Sequence, residues 1–350
     1  MRPTRLRRAH ARVAALLVPA FLLAACAGPG PRAAERDARA AAPRETGQLL
    51  LWEVQSAAHP RGRAFVLGSV HAASPDLVFD PAIDRAFEAS DALVIETDVT
   101  SRAADSFGFL QRTLETATLP AGQTLDQVLA PPTWERLGAF LRARGQPVEL
   151  YRRYEPWLLL TVVTAYLFAE AGLPVEGGVD LRLTAQAEGR KPILTLETPE
   201  FQLGLLDALP LPVQARVLGQ TLEQEERVAA QATRLYDAWR LGDAEAIERE
   251  VASAAGDDPE LRVFHEKVFL ARNQTMAQRI DALLREARTY FVVVGAGHVV
   301  GAQGIPALLA RSGHRVLRVP KTPAGAPAPL RTPVPAPVSA PGAAAAPGAP

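Results

Sequence analysis

Two short segments, Gly68-Ser69-Val70-His71 and Gly295-Ala296-Gly297-His298, constrain this chain more than any other feature, because each follows directly on a continuous apolar run. The runs are Ala64-Phe65-Val66-Leu67 and Tyr290-Phe291-Val292-Val293-Val294. Both are apolar on odd and even positions, the pattern of strands covered on both faces. Glycine at the strand exit lets the backbone turn sharply and leaves room beside it for a ligand. In open α/β sheets, sites lie just outside the carboxyl ends of the strands. One device repeated near both ends of the folded body therefore predicts a single sheet in which the two histidines meet.

Between these ends the pattern reads as α/β, in the mixed α+β sense: a central, mostly parallel sheet carrying a helical insertion. Leu49-Leu50-Leu51-Trp52-Glu53-Val54 and the run 64–67 flank a loop with His59, Pro60 and Gly62, which predicts a hairpin. Ile83, Ala86 and Phe87 fall at helical spacing and lead into Ala92-Leu93-Val94-Ile95-Glu96, so residues 64–96 fit a βαβ unit. The middle is helical: an amphipathic segment over 134–144, and an apolar helix over 157–171 opened by Pro156. That second helix is too short to span a bilayer core, which needs about 20 apolar residues, so it is expected to be buried. A helix to 188 follows Gly178-Val179-Asp180, with Asp180 expected to cap it. Then come an apolar strand over 192–196, helices over 213–288 with Asp243 as an N-cap, a short helix over 305–310 and a last strand over 315–319.

Four of these strands end in groups with chemistry: His71, Glu96 (with Asp98 two residues on), Glu197 and His298. If the strands are parallel neighbours, two imidazoles and two or three carboxylates converge. Imidazole with carboxylate suits zinc, manganese, iron or cobalt with positions left open for water. A divalent ion held by His71, His298 and a carboxylate would lower the pKa of bound water, with a second carboxylate, Glu96 or Glu197, as the general base. Arg272 and Asn273, beside the core stripe of Met276 and Ile280, form either a surface pair or a clamp on substrate or carboxylate. The other histidines have weaker settings: His10 near the start, His59 in the hairpin loop, His265 on a charged helix, and His314 before a strand rather than after one. No nucleophile elbow, phosphate loop, CxxC or HExxH occurs, and Gly295-Ala296-Gly297 lacks the third glycine of a dinucleotide fingerprint.

Charge excludes one class of partner. The chain of 350 residues carries 38 basic and 38 acidic side chains, so it has no net positive field for nucleic acid. Its one cysteine excludes an intramolecular disulfide. That cysteine, Cys26, follows a basic start and an apolar run over 13–23, the layout of a secretory leader. The ending Leu23-Ala24-Ala25-Cys26 resembles the bacterial lipobox, which implies cleavage before Cys26 and lipid on its sulfur. The resulting organisation is a lipoprotein leader over 1–25, a flexible tether over 26–47, a folded body over 48–320 and a disordered Pro/Ala-rich tail over 321–350. The expected location is the bacterial envelope, with a membrane as partner through the lipid. By resemblance to the sorting of known lipoproteins, Ala27 after the cysteine implies the outer membrane, facing the periplasm.

Taken in order, the pieces of the body resemble the TraB/GumN family. They are Leu51-Trp52-Glu53-Val54, Val66-Leu67-Gly68-Ser69-Val70-His71, Ala89-Ser90-Asp91-Ala92-Leu93-Val94-Ile95-Glu96, Gly178-Val179-Asp180, Leu196-Glu197-Thr198, Arg272-Asn273 with Met276, and Gly295-Ala296-Gly297-His298. Ser69 stands where threonine is commoner, and Val299 where leucine is. The family is similar to the animal Tiki proteins, described as metal-dependent proteases with two Gly-x-x-His motifs and a glutamate. It is more distantly similar to erythromycin esterases and to ChaN haem-binding lipoproteins. The resemblance implies His71, Glu96 and His298 as the metal or catalytic set and a peptide or another acyl compound as substrate. It also leaves room for haem or iron binding without turnover, and for a non-enzymatic part in envelope assembly or polysaccharide export.

Overall fold

Leucine, isoleucine and valine fill both faces of the central strands, and the sheet they build is covered by helices on both sides, as such strands require. The structure is a computed structural model that describes residues 42–97, 103–254 and 259–323. Cys26 with the leader, Asp98 and the tail from 324 onward lie outside the described residues. Six strands, β1 (Gln48–Gln55), β2 (Arg63–Ser69), β3 (Ala92–Ile95), β4 (Ile193–Thr195), β5 (Thr289–Gly295) and β6 (Arg315–Pro320), form one sheet in the order β4-β3-β5-β2-β1-β6. β4, β3, β5 and β2 are parallel, β1 is antiparallel to β2, and β6 is antiparallel to β1. The hairpin and the parallel core match the sequence pattern. Two details differ. β5, last but one in the chain, slots between β2 and β3, so the expected βαβ unit straddles a third strand. The run 192–196 yields only the three residues of β4, because it is an edge strand with Leu194 38% exposed.

Thirteen α-helices occur among the described residues. α1 (Pro81–Glu88) joins β2 to β3, with Asp80 capping it through Ala82 N. The insertion between β3 and β4 holds α2 (Ala103–Thr116), α3 (Leu125–Val128), α4 (Pro131–Ala143), α5 (Pro156–Glu170) and α6 (Val179–Ala187). Between β4 and β5 lie α7 (Pro199–Asp207), α8 (Leu211–Glu223), α9 (Glu225–Leu241), α10 (Ala244–Ala254), α11 (Pro259–His265) and α12 (Arg272–Leu283), and α13 (Ile305–Arg311) precedes β6. α4 starts a turn earlier than its apolar stripe because Pro131 and Pro132 fit the first helical positions, where no N–H is needed. α5 is buried nearly all round, with Trp157, Leu159 and Val163 in the core. Among the described residues no helix is long and apolar enough to cross a membrane.

Two local features position the site. A six-residue π-helical turn (Glu266–Ala271) leads into α12, and such wide turns recur at functional sites. It delivers two consecutive residues, Arg272 and Asn273, into the interior. The other feature is register. Ser69 pairs with Gly295, Gly68 with Val294, and Ile95 with Val293, so both motifs and Glu96 leave the sheet at nearly one level. Pairing continues past β3 and β4, where Glu197 N donates to Glu96 O at 2.7 Å. Gly68 is required by close approach: a Cβ there would meet Val299 Cγ2 at 2.5 Å. The two motifs are thus packed on each other as well as hydrogen-bonded.

Candidate functional site

At the carboxyl ends of β2, β3, β4 and β5 the structure brings together all six residues expected there: His71, Glu96, Glu197, Arg272, Asn273 and His298. Arg272 is the hub, 1% exposed. Its Nε and Nη2 donate to the two oxygens of Glu197 at 2.8 and 2.6 Å, and Nη2 also reaches Glu96 Oε2 at 2.8 Å. This is the fork-on-carboxylate geometry that only guanidinium supplies. Of the two sequence expectations for Arg272, surface pair or clamp, the structure has a clamp, but on the protein's own carboxylates. Glu96 Oε1 accepts from Gly295 N at 2.6 Å, so the glutamate at the end of one strand is tied to the first glycine of the motif on the next.

Burial is the largest influence on Glu96 and raises its pKa, but Arg272, His298, His71 and the Gly295 N–H together outweigh it, and the carboxyl is held at about 2. It is an anion at any physiological pH. Burial likewise pushes the guanidinium of Arg272 down, and the two glutamates more than restore it. The residue sequence reading missed is Gln202, on α7 one turn after the Thr198 cap. Its Nε2 donates to Glu197 Oε2 at 3.0 Å and to Glu96 Oε2 at 3.3 Å. Nothing in the local pattern distinguishes Gln202 from any other helical glutamine.

The two histidines are oriented in the same way. His298 Nδ1 lies 2.6 Å from Asn273 Oδ1, and its Nε2 lies 3.1 Å from Arg272 Nη1. Arginine can only donate, so Nε2 accepts and the proton sits on Nδ1. Asn273 therefore acts on His298 and not on open space. His71 Nδ1 lies 3.2 Å from Asp180 Oδ2, off the line of a directed hydrogen bond and so chiefly a charge contact. Asp180 is not the cap expected of it. Gly178 occupies the N-cap of α6, and the Asp180 carboxylate turns to the imidazole. Burial lowers the His71 pKa, but Asp180 and, less strongly, Glu96 reverse this and leave it above the usual value.

Both imidazoles thus turn Nδ1 to a carboxylate or amide oxygen, His298 through a hydrogen bond and His71 through a charge contact, and a hydrogen bond of the first kind is what orients histidine ligands in metal sites. A methyl group built on Gly295 would stand 3.4 Å from His71 Nε2, 3.4 Å from Glu96 Oε1 and 3.6 Å from His298 Cδ2. The missing side chain of Gly295 therefore leaves a cradle walled by the three expected ligands. His298 Nε2 and Glu96 Oε1 are 3.7 Å apart. The donor set and the cradle fit a divalent ion. Among the described residues, however, no three His, Cys, Asp or Glu side chains stand as a ready-made shell, and Arg272 Nη1 presently takes the Nε2 of His298.

Beside the cradle is a cavity of about 40 Å³, bounded by Ser69, Leu235, Ile247, Val251, Phe269 and the second motif. Phe269, from the π turn, lies against His298 with ring centroids 5.1 Å apart. Ser69 Oγ is buried there without a partner. His314, excluded by its place before a strand, is indeed elsewhere: its Nδ1 takes Ala57 N–H at 3.1 Å and its Nε2 faces Asp281 at 2.8 Å, pinning the hairpin loop to α12.

The sequence profile of the TraB/PrgY/gumN family matches residues 50–318. A zebrafish (Danio rerio) protein named Metalloprotease TIKI1 is 28% identical over 298 residues, covering 71% of this chain and 58% of its own. Metalloprotease TIKI2 of Xenopus tropicalis is 26% identical over 328 residues, covering 79% of this chain and 60% of its own. The chain spans less than two thirds of the length of these relatives. No solved structure matches it.

Proposed function

This chain belongs to the TraB/PrgY/gumN family, and from that premise we propose that it is an envelope lipoprotein with a metal-dependent hydrolase site, acting on a peptide or another acyl substrate. The observation that carries the reading is the pair of histidines, each with Nδ1 turned to an oxygen, facing Glu96 across the empty side of Gly295. The names of the relatives, metalloproteases, support the same class of chemistry. His71, His298 and Glu96 are the residues that would hold the ion, which is manganese, zinc, cobalt or iron by the softness of the donors. When bound, such an ion polarises a carbonyl and makes water nucleophilic near neutral pH.

The chain's own groups supply the rest. Glu197 Oε2, next to Glu96 and steadied by Arg272 and Gln202, is the proton acceptor. Asn273 holds His298 in one tautomer and orientation, and Asp180 draws His71 by charge. Ser69 Oγ, unpartnered in the cavity wall, is the donor available to a substrate carbonyl. The apolar walls exclude water around the reacting groups.

The lipobox-like Leu23-Ala24-Ala25-Cys26 supports anchoring through Cys26 to a membrane, with the body in the periplasm. The decisive experiment is metal titration of the purified protein by calorimetry, with His71→Ala and His298→Ala beside it. Wild type should bind one divalent ion per chain, and each variant should lose at least a hundredfold in affinity. Equal binding by all three proteins, or none by wild type with any of the four metals, sinks the assignment.

A further inference from the structure

The cavity of about 40 Å³ is continuous with the cradle, since His71, Gly295 and His298 line both. Its apolar walls come from three separate elements: Leu235 on α9, Ile247 and Val251 on α10, and Phe269 in the π turn. Its volume exceeds the about 10–15 Å³ that one water needs and falls far short of the about 150 Å³ that takes a benzene ring. A buried water needs about two to four polar partners, and these four side chains offer none. A group of one or two carbon atoms suits the space better.

The second Gly-x-x-His motif sets how small the cavity is. A Cβ on Gly297 would stand 2.7 Å from Phe269 Cε1 and 3.4 Å from Val251 Cγ2, so only glycine lets the ring and the valine close in this far. Phe269 in turn lies against His298. Leu235, Ile247 and Phe269 are themselves buried, and close-packed surroundings resist displacement of such walls. Gly297, the middle glycine, thus fixes how much room is left beside the expected ligands.

We propose that this cavity is the specificity pocket for the residue whose carbonyl reacts, and that it selects alanine. The inference rests on the hydrolase reading of the cradle. A side chain begins two bonds from its own carbonyl carbon, so a carbonyl reacting at the cradle carries its side chain into the space beside it. One methyl fills that space and gains about fourfold in affinity over a bare hydrogen, the worth of one buried CH₂ group. Branched or aromatic side chains would have to displace Phe269 or Val251, and overpacking of this kind is destabilising. Ser69 Oγ, in the same wall and without a hydrogen-bond partner, stays available to the carbonyl oxygen. The substrate class is a peptide or acyl compound with alanine on the acyl side of the bond that breaks. Water supplies the hydroxyl of the new alanine carboxyl group and the proton of the departing amine or alcohol.

The test titrates the N-acetylated hydroxamates of glycine, L-alanine, L-leucine and L-phenylalanine by calorimetry into the full chain, loaded with the divalent ion it binds most tightly. The alanine compound should bind best, about fourfold tighter than that of glycine and at least tenfold tighter than the other two. Val251→Ala should raise the affinity for the leucine compound at least tenfold, and Val251→Phe should level alanine with glycine. Metal uptake is measured first on each protein and should be the same for all three. A wild type that binds no ion overturns the hydrolase reading and this one with it. Ion binding without a preference for alanine, or an order of affinities that neither Val251 variant moves, overturns the specificity pocket alone.

Discussion

Replacing Gly295 with alanine separates the cradle's architecture from its chemistry. The residue has φ −53° and ψ 143°, which alanine adopts without strain. The added methyl would meet its nearest neighbours at 3.4, 3.4 and 3.6 Å, ordinary van der Waals contact. The N–H that binds Glu96 is retained. Folding should therefore tolerate the change, and the smaller conformational freedom of the unfolded chain would add about 0.4–1 kcal/mol of stability. Metal binding should behave oppositely. Ligand bonds to a divalent ion are about 2.0–2.2 Å long, and the methyl stands in the space that His71 Nε2, Glu96 Oε1 and His298 enclose. We expect affinity to fall at least a hundredfold, equivalent to about 2.7 kcal/mol. Urea denaturation and metal titration on the same sample give the two numbers. A variant that binds the ion within threefold of wild type refutes the assignment of the cradle, and a loss of more than 2 kcal/mol in stability refutes the packing argument.

Three further outcomes follow from the same geometry. Arg272→Met leaves Glu96 and Glu197 buried without their cation and should cost about 3–5 kcal/mol, read from urea midpoints; a cost below 1 kcal/mol would show that the carboxylates find another partner. Gly68→Ala drives a methyl into Val299 and should cost about 1–3 kcal/mol in the same assay, whereas Gly204→Ala, with open space around it, should cost nothing. Tyr290 is pushed up to about 12 by burial and by Glu286, which accepts a hydrogen bond from its hydroxyl at 2.5 Å. The native state thus favours the neutral phenol, so this group's contribution is whole below the unfolded value of about 10 and is lost as pH rises toward 12. The difference in ultraviolet absorbance between wild type and Tyr290→Phe should titrate near 12, and Glu286→Gln should lower that midpoint; a midpoint at 10 contradicts the contact.

How far the sequence carried can be seen residue by residue. Two strand-exit histidines and Glu96 were legible because each ended an apolar run, and parallel strands bring such ends together. The hairpin was legible from its turn residues. Glu197 was legible as a strand end, although its strand proved to be a three-residue edge. What was hidden depended on contacts remote in sequence. Asp180 looks like a cap, since an acidic residue beside a helix start is one by default, and only the fold reveals that His71 lies opposite. Gln202 carries no local mark at all. Arg272 was marked, but whether a buried guanidinium grips a substrate or its own protein is decided by what stands across from it, 75 residues back at Glu197.

The place of β5 in the sheet has a consequence for how the protein comes into being. β2 and β3 lie within the first third of the chain, yet they do not touch; the strand between them is Thr289–Gly295. Until that strand arrives, the nascent chain holds two apolar strands with open inner edges, the kind of surface that recruits other chains. Contacts this distant in sequence form slowly. Synthesis must therefore run almost to completion before the sheet can close, and a chain terminated before residue 289 is expected to be an aggregate or a chaperone client. The same event that seals the sheet also delivers His298. A molecule of this protein that has escaped aggregation is, by that fact alone, one whose candidate site is assembled.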